Sequence, residues 1–462
     1  VAYLKPPSLA SAKTLRSRRS GAVVDGITPS ERFVEEVEIQ MATGSSRTAR
    51  SRVVALACAV ATVAAGAFVA APAQAALSTP DGAEAAVVAA AEARAERLGT
   101  GRPAPVAEEA IDGLAAQAFG AEIAAVAPGE SVNRVYGQNR WQTAVAVSWL
   151  YGLGDGGLTG VVDGVLGADE QAAPVVYVAN GMGYADALSA APAAAFNGGP
   201  LLLTPAGALP TVVREEIERL HPARIVVVGG TASVSDAAYA QLAAIQPNIR
   251  RDAGRDRYET SRVVVQRGFD YAAAGVAPSE IAYLATGTGY ADALAASAAA
   301  ATVSSPVVLV NGRASAVDAA TTTLLRDGLG ARYLYLAGGD ASISPAYEST
   351  LASAPWVAGG ARFAGQDRYG TANAINGDLF GLLYSQGIWA PASANYTSGL
   401  DFPDALSAGA MAGYYGEPLY LSRPSCIPAQ AVNDPRSWGV GAFYLVGGPG
   451  VLGAGVESLT TC

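Results

Sequence analysis

Lysine and histidine are almost missing from this chain. Both lysines, Lys5 and Lys13, stand at its beginning, and the single histidine is His221. Past residue 75, 21 arginines face 35 aspartates and glutamates. A body that acidic repels DNA, RNA and anionic lipid over long range, so no nucleic-acid partner is expected. Zinc hydrolases need clustered His or Cys, and none can be assembled here, so no metal site is expected. A Ser-His-Asp triad would rest wholly on His221, in the loop "RLHPAR" before a strand. A glycosidase-type carboxylate pair stays open, because any two aspartates can meet in space. No cofactor is expected either, since the double glycines lack the G-x-G-x-x-G order of a dinucleotide site.

Cysteine is equally sparse. Beyond Cys58 there are only Cys426 and Cys462. Long apolar runs are scarce too, with one over residues 53–70. It follows the basic stretch with Arg47, Arg50 and Arg52 and precedes Ala73-Gln74-Ala75. Those are the parts of a secretory signal peptide over 41–75, cut between Ala75 and Ala76. The alternative is an uncleaved anchor, as the run is about long enough to span a bilayer. Its Ala/Val character and the adjacent cleavage site favour removal, leaving no stable membrane anchor. Residues 1–40 are expected to be untranslated or disordered. In an oxidising compartment an even pair of cysteines predicts a disulfide between Cys426 and Cys462.

What the chain has in abundance is repetition. Residues 76–130 are Ala- and Glu-rich and read as a helical spacer. From there three copies follow, at 131–245, 246–357 and 358–462. Each opens on R-x-x-G-x-[ND]-R-[YW]-x-T: "RVYGQNRWQT", "RDAGRDRYET" and "RFAGQDRYGT". Next comes a strand turning into a helix through "GYADAL" (twice) or "DFPDAL". A Pro-led apolar strand follows at Pro200, Pro306 and Pro418, and a last strand closes on Gly230, Gly339 or Gly448. Apolar strands alternating with helical segments predict α/β units with buried parallel strands. An extra glycine-rich segment near 152–172 reads as a surface loop in the first copy.

Each motif has a packing reading and a ligand reading. Asp186, Asp292 and Asp404 stand where a side chain accepts from free N–H groups, so they are expected to be helix caps. Tyr184, Tyr290 and Phe402 lie two residues earlier, at the carboxyl edge of a parallel sheet, where an aromatic can stack on a sugar ring. Arg140, Arg257 and Arg368 either clamp acids of the next unit or recognise an anion, with Trp141, Tyr258 and Tyr369 beside them. Three similar weak sites suit avidity for a repeating polymer better than they suit catalysis.

The four ordered motifs resemble those of the cell-wall-binding repeat 2 family of Gram-positive surface and S-layer proteins. The resemblance covers about 131–462. It implies three tandem Rossmann-like parallel-sheet units in a pseudo-threefold arrangement. It also implies non-enzymatic, non-covalent attachment of a secreted protein to an anionic secondary cell-wall polymer. Polymer contact is implied at the Pro-led strands, on Pro200 and Leu201 through Leu203, Pro306–Leu309 and Pro418–Leu421, where Tyr420 replaces an aliphatic residue. Two other readings accompany it: an accessory to a separate wall amidase as partner, and a glycan hydrolase.

Overall fold

The structure is a computed structural model that describes residues 77–78, 81–98, 122–124, 129–153 and 172–462. The upstream segment, the signal peptide with its Ala75–Ala76 cleavage site, the spacer over 99–121 and most of the 152–172 loop lie outside the described residues.

A helix, α1 (Asp81–Leu98), and a short strand, β1 (Glu122–Ala124), precede the copies. Copy 1 runs β2 (Ser131–Val135), α2 (Arg140–Trp149), β3 (Val176–Asn180), α3 (Ala190–Phe196), β4 (Leu201–Thr204), α4 (Thr211–Leu220), β5 (Ile225–Val228) and α5 (Asp236–Ile245). Copy 2 repeats the order as β6 (Ile249–Asp252), α6 (Arg257–Gly268), β7 (Ile281–Thr286), α7 (Ala291–Thr302), β8 (Val307–Val310), α8 (Ala319–Thr323), β9 (Tyr333–Ala337) and α9 (Pro345–Ala352). Copy 3 is β10 (Gly359–Phe363), α10 (Arg368–Ser385), β11 (Ser393–Ser398), α11 (Pro403–Tyr415), β12 (Leu419–Ser422), α12 (Ala429–Ser437), β13 (Ala442–Val446) and α13 (Ala454–Glu457).

The expected α/β class holds. Three parallel sheets have the orders β4-β3-β5-β6, β8-β7-β9-β10 and β12-β11-β13-β2, the last with β1 added antiparallel. Runs such as Ile225–Val228 and Val307–Val310 are fully buried, which is why they are continuously apolar rather than alternating.

Sheets and sequence copies are offset by one strand. The strand that opens each copy pairs in register with the closing strand of another: β6 with β5, β10 with β9. The offset closes into a ring, because β2 pairs with β13, Ser131 against Ala442 through Val135 against Val446. The first and last copies are thereby locked together by ladder hydrogen bonds.

At the centre of the ring, α3, α7 and α11 pack on one another. Their richness in Ala, Gly and Ser has a steric cause. A Cβ added to Gly413 would stand 2.5 Å from the Ala301 Cβ and 3.3 Å from the Ala195 Cβ, so one position of α11 touches both other helices. Nearly all of α3 and α7 is buried, and larger side chains would push the three units apart.

Candidate functional site

The arginine motif assembles the carboxyl edge of each sheet, position by position. Its first arginine reaches across to the closing strand next door. Arg134, Arg251 and Arg362 donate from Nη1 to the carbonyls of Gly447, Gly229 and Gly338 at 3.0, 3.0 and 2.9 Å. Each also meets an acid on the helix that follows: Glu457, Asp236 and Glu348. The motif glycine lets the turn close. At Gly137, Gly254 and Gly365 an added Cβ would lie 2.2–2.5 Å from the residue five positions on. The Asn or Asp is the helix cap, with Asn139, Asp256 and Asp367 each accepting from two N–H groups of the first turn. The threonine hydroxyl accepts the glycine N–H, at 3.1, 3.1 and 3.2 Å in Thr143, Thr260 and Thr371. The aromatic lies on the glycine ending the next strand, Trp141 on Gly181, Tyr258 on Gly287 and Tyr369 on Gly399.

The second arginine joins two units. Arg140, Arg257 and Arg368 each donate from Nη1 at 2.6 Å to a carbonyl of their own copy, that of Gly181, Gly287 and Gly399. Their guanidinium carbons stand over aromatics of another copy: Arg140 over Phe402 at 5.9 Å, Arg257 over Tyr184 at 5.8 Å, Arg368 over Tyr290 at 5.3 Å. The three aromatics form a triangle with ring centroids 5.5, 5.6 and 5.8 Å apart. The result is a pseudo-threefold aromatic cluster ringed by three half-buried cations at the amino ends of the central helices. Met182 and Leu400 project beside it and are 64% and 61% exposed.

The expected clamp onto acids is therefore mostly a clamp onto carbonyls and rings. Only Arg140 meets a carboxylate, Asp401, at 3.7 Å. Copy 3 departs here for a traceable reason. Tyr184 and Tyr290 donate their hydroxyls to the carbonyls of Thr288 and Leu400 in the next copy, at 3.2 and 2.8 Å. Phe402 has no hydroxyl to donate, and the Arg140–Asp401 pair stands at its seam.

Asp186, Asp292 and Asp404 are a correction. They do not cap their helices. Ser189, Tyr290 and Phe402 hold the cap positions without a side-chain bond, while Asp292 and Asp404 sit inside the first turn. The carboxylates instead cover the double glycines. A Cβ at Gly229, Gly338 or Gly447, all at positive φ, would approach the carboxylate oxygen to 2.6, 2.4 or 3.1 Å. That contact accounts for the recurrence of both motifs. Asp186 and Asp292 accept from the hydroxyls of Ser233 and Ser342. Val451 stands at the third equivalent, and there Thr143 serves Asp404.

Between these loops, at the carboxyl edge of the third sheet, is a cleft of about 240 Å³ lined by Gln138, Asn139, Arg140, Ser398, Asp401 and Asp404, among others. It lies outside the carboxyl ends of β11 and β13, the edge at which open α/β sheets usually take ligands. Burial first, and the Asp401 charge second, push the Asp404 carboxyl up to about 6. Burial likewise raises Asp292 above the usual carboxylate range.

The Pro-led strands are a second correction. Pro200, Leu201, Pro306 and Pro418 are buried, at the opposite edge of the sheets from the arginines. Proline suits a strand start, where its missing N–H costs nothing. Its carbonyl is used: those of Pro200, Pro306 and Pro418 accept from Tyr177, Tyr283 and Asn395 at 3.0 Å. His221 terminates α4 in a left-handed conformation at that same far edge. Cys426 and Cys462 are joined in a disulfide with Cα atoms 5.5 Å apart. Among the described residues no group of His, Cys, Asp and Glu is placed to hold a metal ion, and no helix is long and apolar enough to cross a membrane.

Residues 134–239, 251–348 and 362–457 match the cell wall binding domain 2 (CWB2) family. The chain belongs to this family. Its three CWB2 repeats associate it with the cell wall. It is 27% identical over 318 residues to N-acetylmuramoyl-L-alanine amidase LytC of Bacillus subtilis, covering 69% of this chain and 55% of that protein. It is 28% identical over 205 residues to the amidase enhancer of the same organism, covering 44% of this chain and 26% of that one. Cwp6 and Cwp8 from Clostridium difficile share the fold, with TM-scores of 0.58 and 0.56 at 22% identity. Each covers 71% of this chain, which spans 48% and 51% of theirs. The chain thus spans about half the length, or less, of the relatives it matches.

Proposed function

We propose that this CWB2 protein attaches non-covalently to the wall by multivalent binding of an anionic secondary cell-wall polymer, without catalysis of its own. The observation that supports this reading is the ring of Arg140, Arg257 and Arg368. Each spends Nη1 on a carbonyl, yet Arg257 keeps Nη2 and Nε without a hydrogen-bond partner among the described residues. A half-exposed guanidinium fixed at one nitrogen presents the rest of its fork to a phosphate or carboxylate. Tyr184, Tyr290 and Phe402 offer ring faces and edges next to it, with Trp141, Tyr258 and Tyr369 holding the strand ends in place. The sequence copies 131–245, 246–357 and 358–462 then act as three linked weak binders.

The test is sedimentation with purified walls before and after chemical removal of their secondary polymers. Binding is expected to vanish on stripped walls. Equal binding to both would overturn the polymer reading.

The amidase and amidase-enhancer relatives favour one other reading, that the protein modulates a separate wall amidase. Wall lysis by a purified amidase, with and without this protein, separates the two. A change in lysis rate at constant wall occupancy supports modulation.

A further inference from the structure

The central helices have a second pole. α3, α7 and α11 start beside the aromatic triangle and end together on the far side of the ring. There the last carbonyls of three helices and the negative ends of three macrodipoles converge. The Ala301 and Gly413 carbonyls already accept one backbone N–H each, from Ser304 and Gly416, and keep a second lone pair. Such a site attracts a cation with several donors.

α1 supplies it. Arg94 is fully buried and donates from Nη1 to the carbonyl of Ala301, near the end of α7. From Nη2 it donates to the carbonyls of Gly413 and Tyr414, near the end of α11, at 2.5 and 2.6 Å. Arg97, one turn on, donates at 3.1 Å to the carbonyl of Phe196, the last residue of α3, and stands 4.8 Å over its ring. One helix thus satisfies carbonyls of all three units.

The rest of α1 is shaped for the same docking. Ala83, Val87, Ala91 and Arg94 are buried and share one helix face, at steps of four, four and three. Upstream, the carbonyl of Ser78 accepts from Gly360 of β10, and Gly82 lies against the Tyr333 hydroxyl. Contact along the middle is looser. A cleft of about 100 Å³ remains between α1 and the loop Val276–Glu280. The interface is therefore concentrated at its arginine end.

We infer that residues 81–98 are an intramolecular latch, a helix whose Arg94 guanidinium plugs a socket of helix-end carbonyls and fastens the three CWB2 units at the pole opposite the arginine–aromatic ring. The latch acts through fixed donor geometry. A lysine has one point of charge and cannot reach carbonyls of two helices in a plane, so Arg94→Lys is not conservative here.

The test uses the chain from Ala76 onward with a protease site inserted between 99 and 121, cut after purification. In the parent, the fragment carrying α1 stays with the ring through gel filtration. In Arg94→Ala it dissociates, with retention weaker by on the order of 10²-fold, as for truncating one partner of a buried charged contact. Arg94→Lys behaves like Arg94→Ala, and Arg97→Ala has the smaller effect. Low, non-denaturing guanidinium should raise the melting temperature of uncut Arg94→Ala and leave the parent unchanged, which loss of packing alone does not predict. If Arg94→Ala fails to fold, guanidinium added during refolding restores it, and failure of that rescue overturns the inference. So does a parent fragment that leaves freely after cutting while the ring keeps its melting temperature. Wall binding enters none of these readouts, so the latch and the proposed function can fail separately.

Discussion

Arg257 holds two units together and faces outward, so its replacement by alanine separates a structural from a binding role. The substitution leaves the Gly287 carbonyl without its 2.6 Å donor and uncovers the Tyr184 ring, 5.8 Å from the guanidinium. Hydrogen bonds to charged groups contribute about 1.5–3 kcal/mol, and partial exposure puts this one at the lower end. An exposed cation–π contact adds about 0.5–1 kcal/mol. Arg257→Ala should therefore cost about 2 kcal/mol, a fall of a few degrees in melting temperature for a protein of this size. Wall affinity, measured on the same sample below the transition, should drop by at least about tenfold, since linked weak sites gain 10²–10⁴-fold from one another. The triple change of Arg140, Arg257 and Arg368 to alanine should nearly abolish binding, and raised salt should mimic it by screening half-exposed charges. Full affinity in a folded triple variant would remove the arginines from the binding surface. An unchanged melting temperature in every single variant would refute the inter-unit contact as a source of stability.

Three other outcomes follow from the geometry. Asp378 on α10 is pushed up to about 6 by burial and then by Glu84 of α1, and it also faces Tyr283 and Tyr335. A carboxyl raised on folding stabilises fully below its unfolded value near 4 and loses that contribution as pH rises through about 6. Thermal scans should thus show stability lost over that window, and Asp378→Asn should flatten the slope. Gly338→Ala, at φ +111° with its Cβ 2.4 Å from the Asp292 carboxylate, should destabilise by about 2 kcal/mol or more, whereas Gly230→Ala meets nothing within 4 Å and should be near neutral in urea melts. Reducing the Cys426–Cys462 bond, which closes a loop with a sequence separation of 36, should cost about 4 kcal/mol by chain entropy. Labelling of both thiols by a maleimide in the unreduced native protein would show that the bond is absent.

The repeat, the α/β class and the disulfide were legible because each is written locally, in strand composition, motif order and cysteine parity. What the sequence hid was partnership. "DAL" after a turn looks like a capped helix start, yet α3, α7 and α11 begin without a side-chain cap. It is the preceding helices α2, α6 and α10 that are capped, by Asn139, Asp256 and Asp367 of the arginine motif. Asp292 is spoken for by a glycine 46 residues later and by Ser342, and no local pattern names a partner at that distance. The offset between copies and sheets was hidden for the same reason. A strand such as Ile249–Asp252 reads as the start of its own copy, and only pairing shows that it completes the previous sheet. The Pro-led strands misled in the opposite sense. The family resemblance implies polymer contact there, whereas burial explains their regularity, since consecutive apolar residues are what a parallel strand covered on both faces requires.

The two poles of the central helices are closed in different ways. A three-helix axis exposes free N–H groups at one end and free carbonyls at the other, whatever its sequence. This chain answers both ends with arginines, used in different ways. At the carbonyl end Arg94 is buried and spends its Nη donors inward, so it can act only on the protein itself. At the amino end the positive macrodipoles and three half-exposed guanidinium groups add with the same sign. Repulsion there is offset only in part, by aromatic rings at 5.3–5.9 Å and by the Arg140–Asp401 pair at 3.7 Å. An anion bound at that pole would relieve the repulsion as well as make its own contacts. Binding of a polyanionic wall polymer should therefore raise the melting temperature of the ring, and raise it less in Asp401→Asn only if Asp401 positions Arg140 for the ligand. A larger rise in Asp401→Asn would mean that Asp401 competes with the ligand for Arg140.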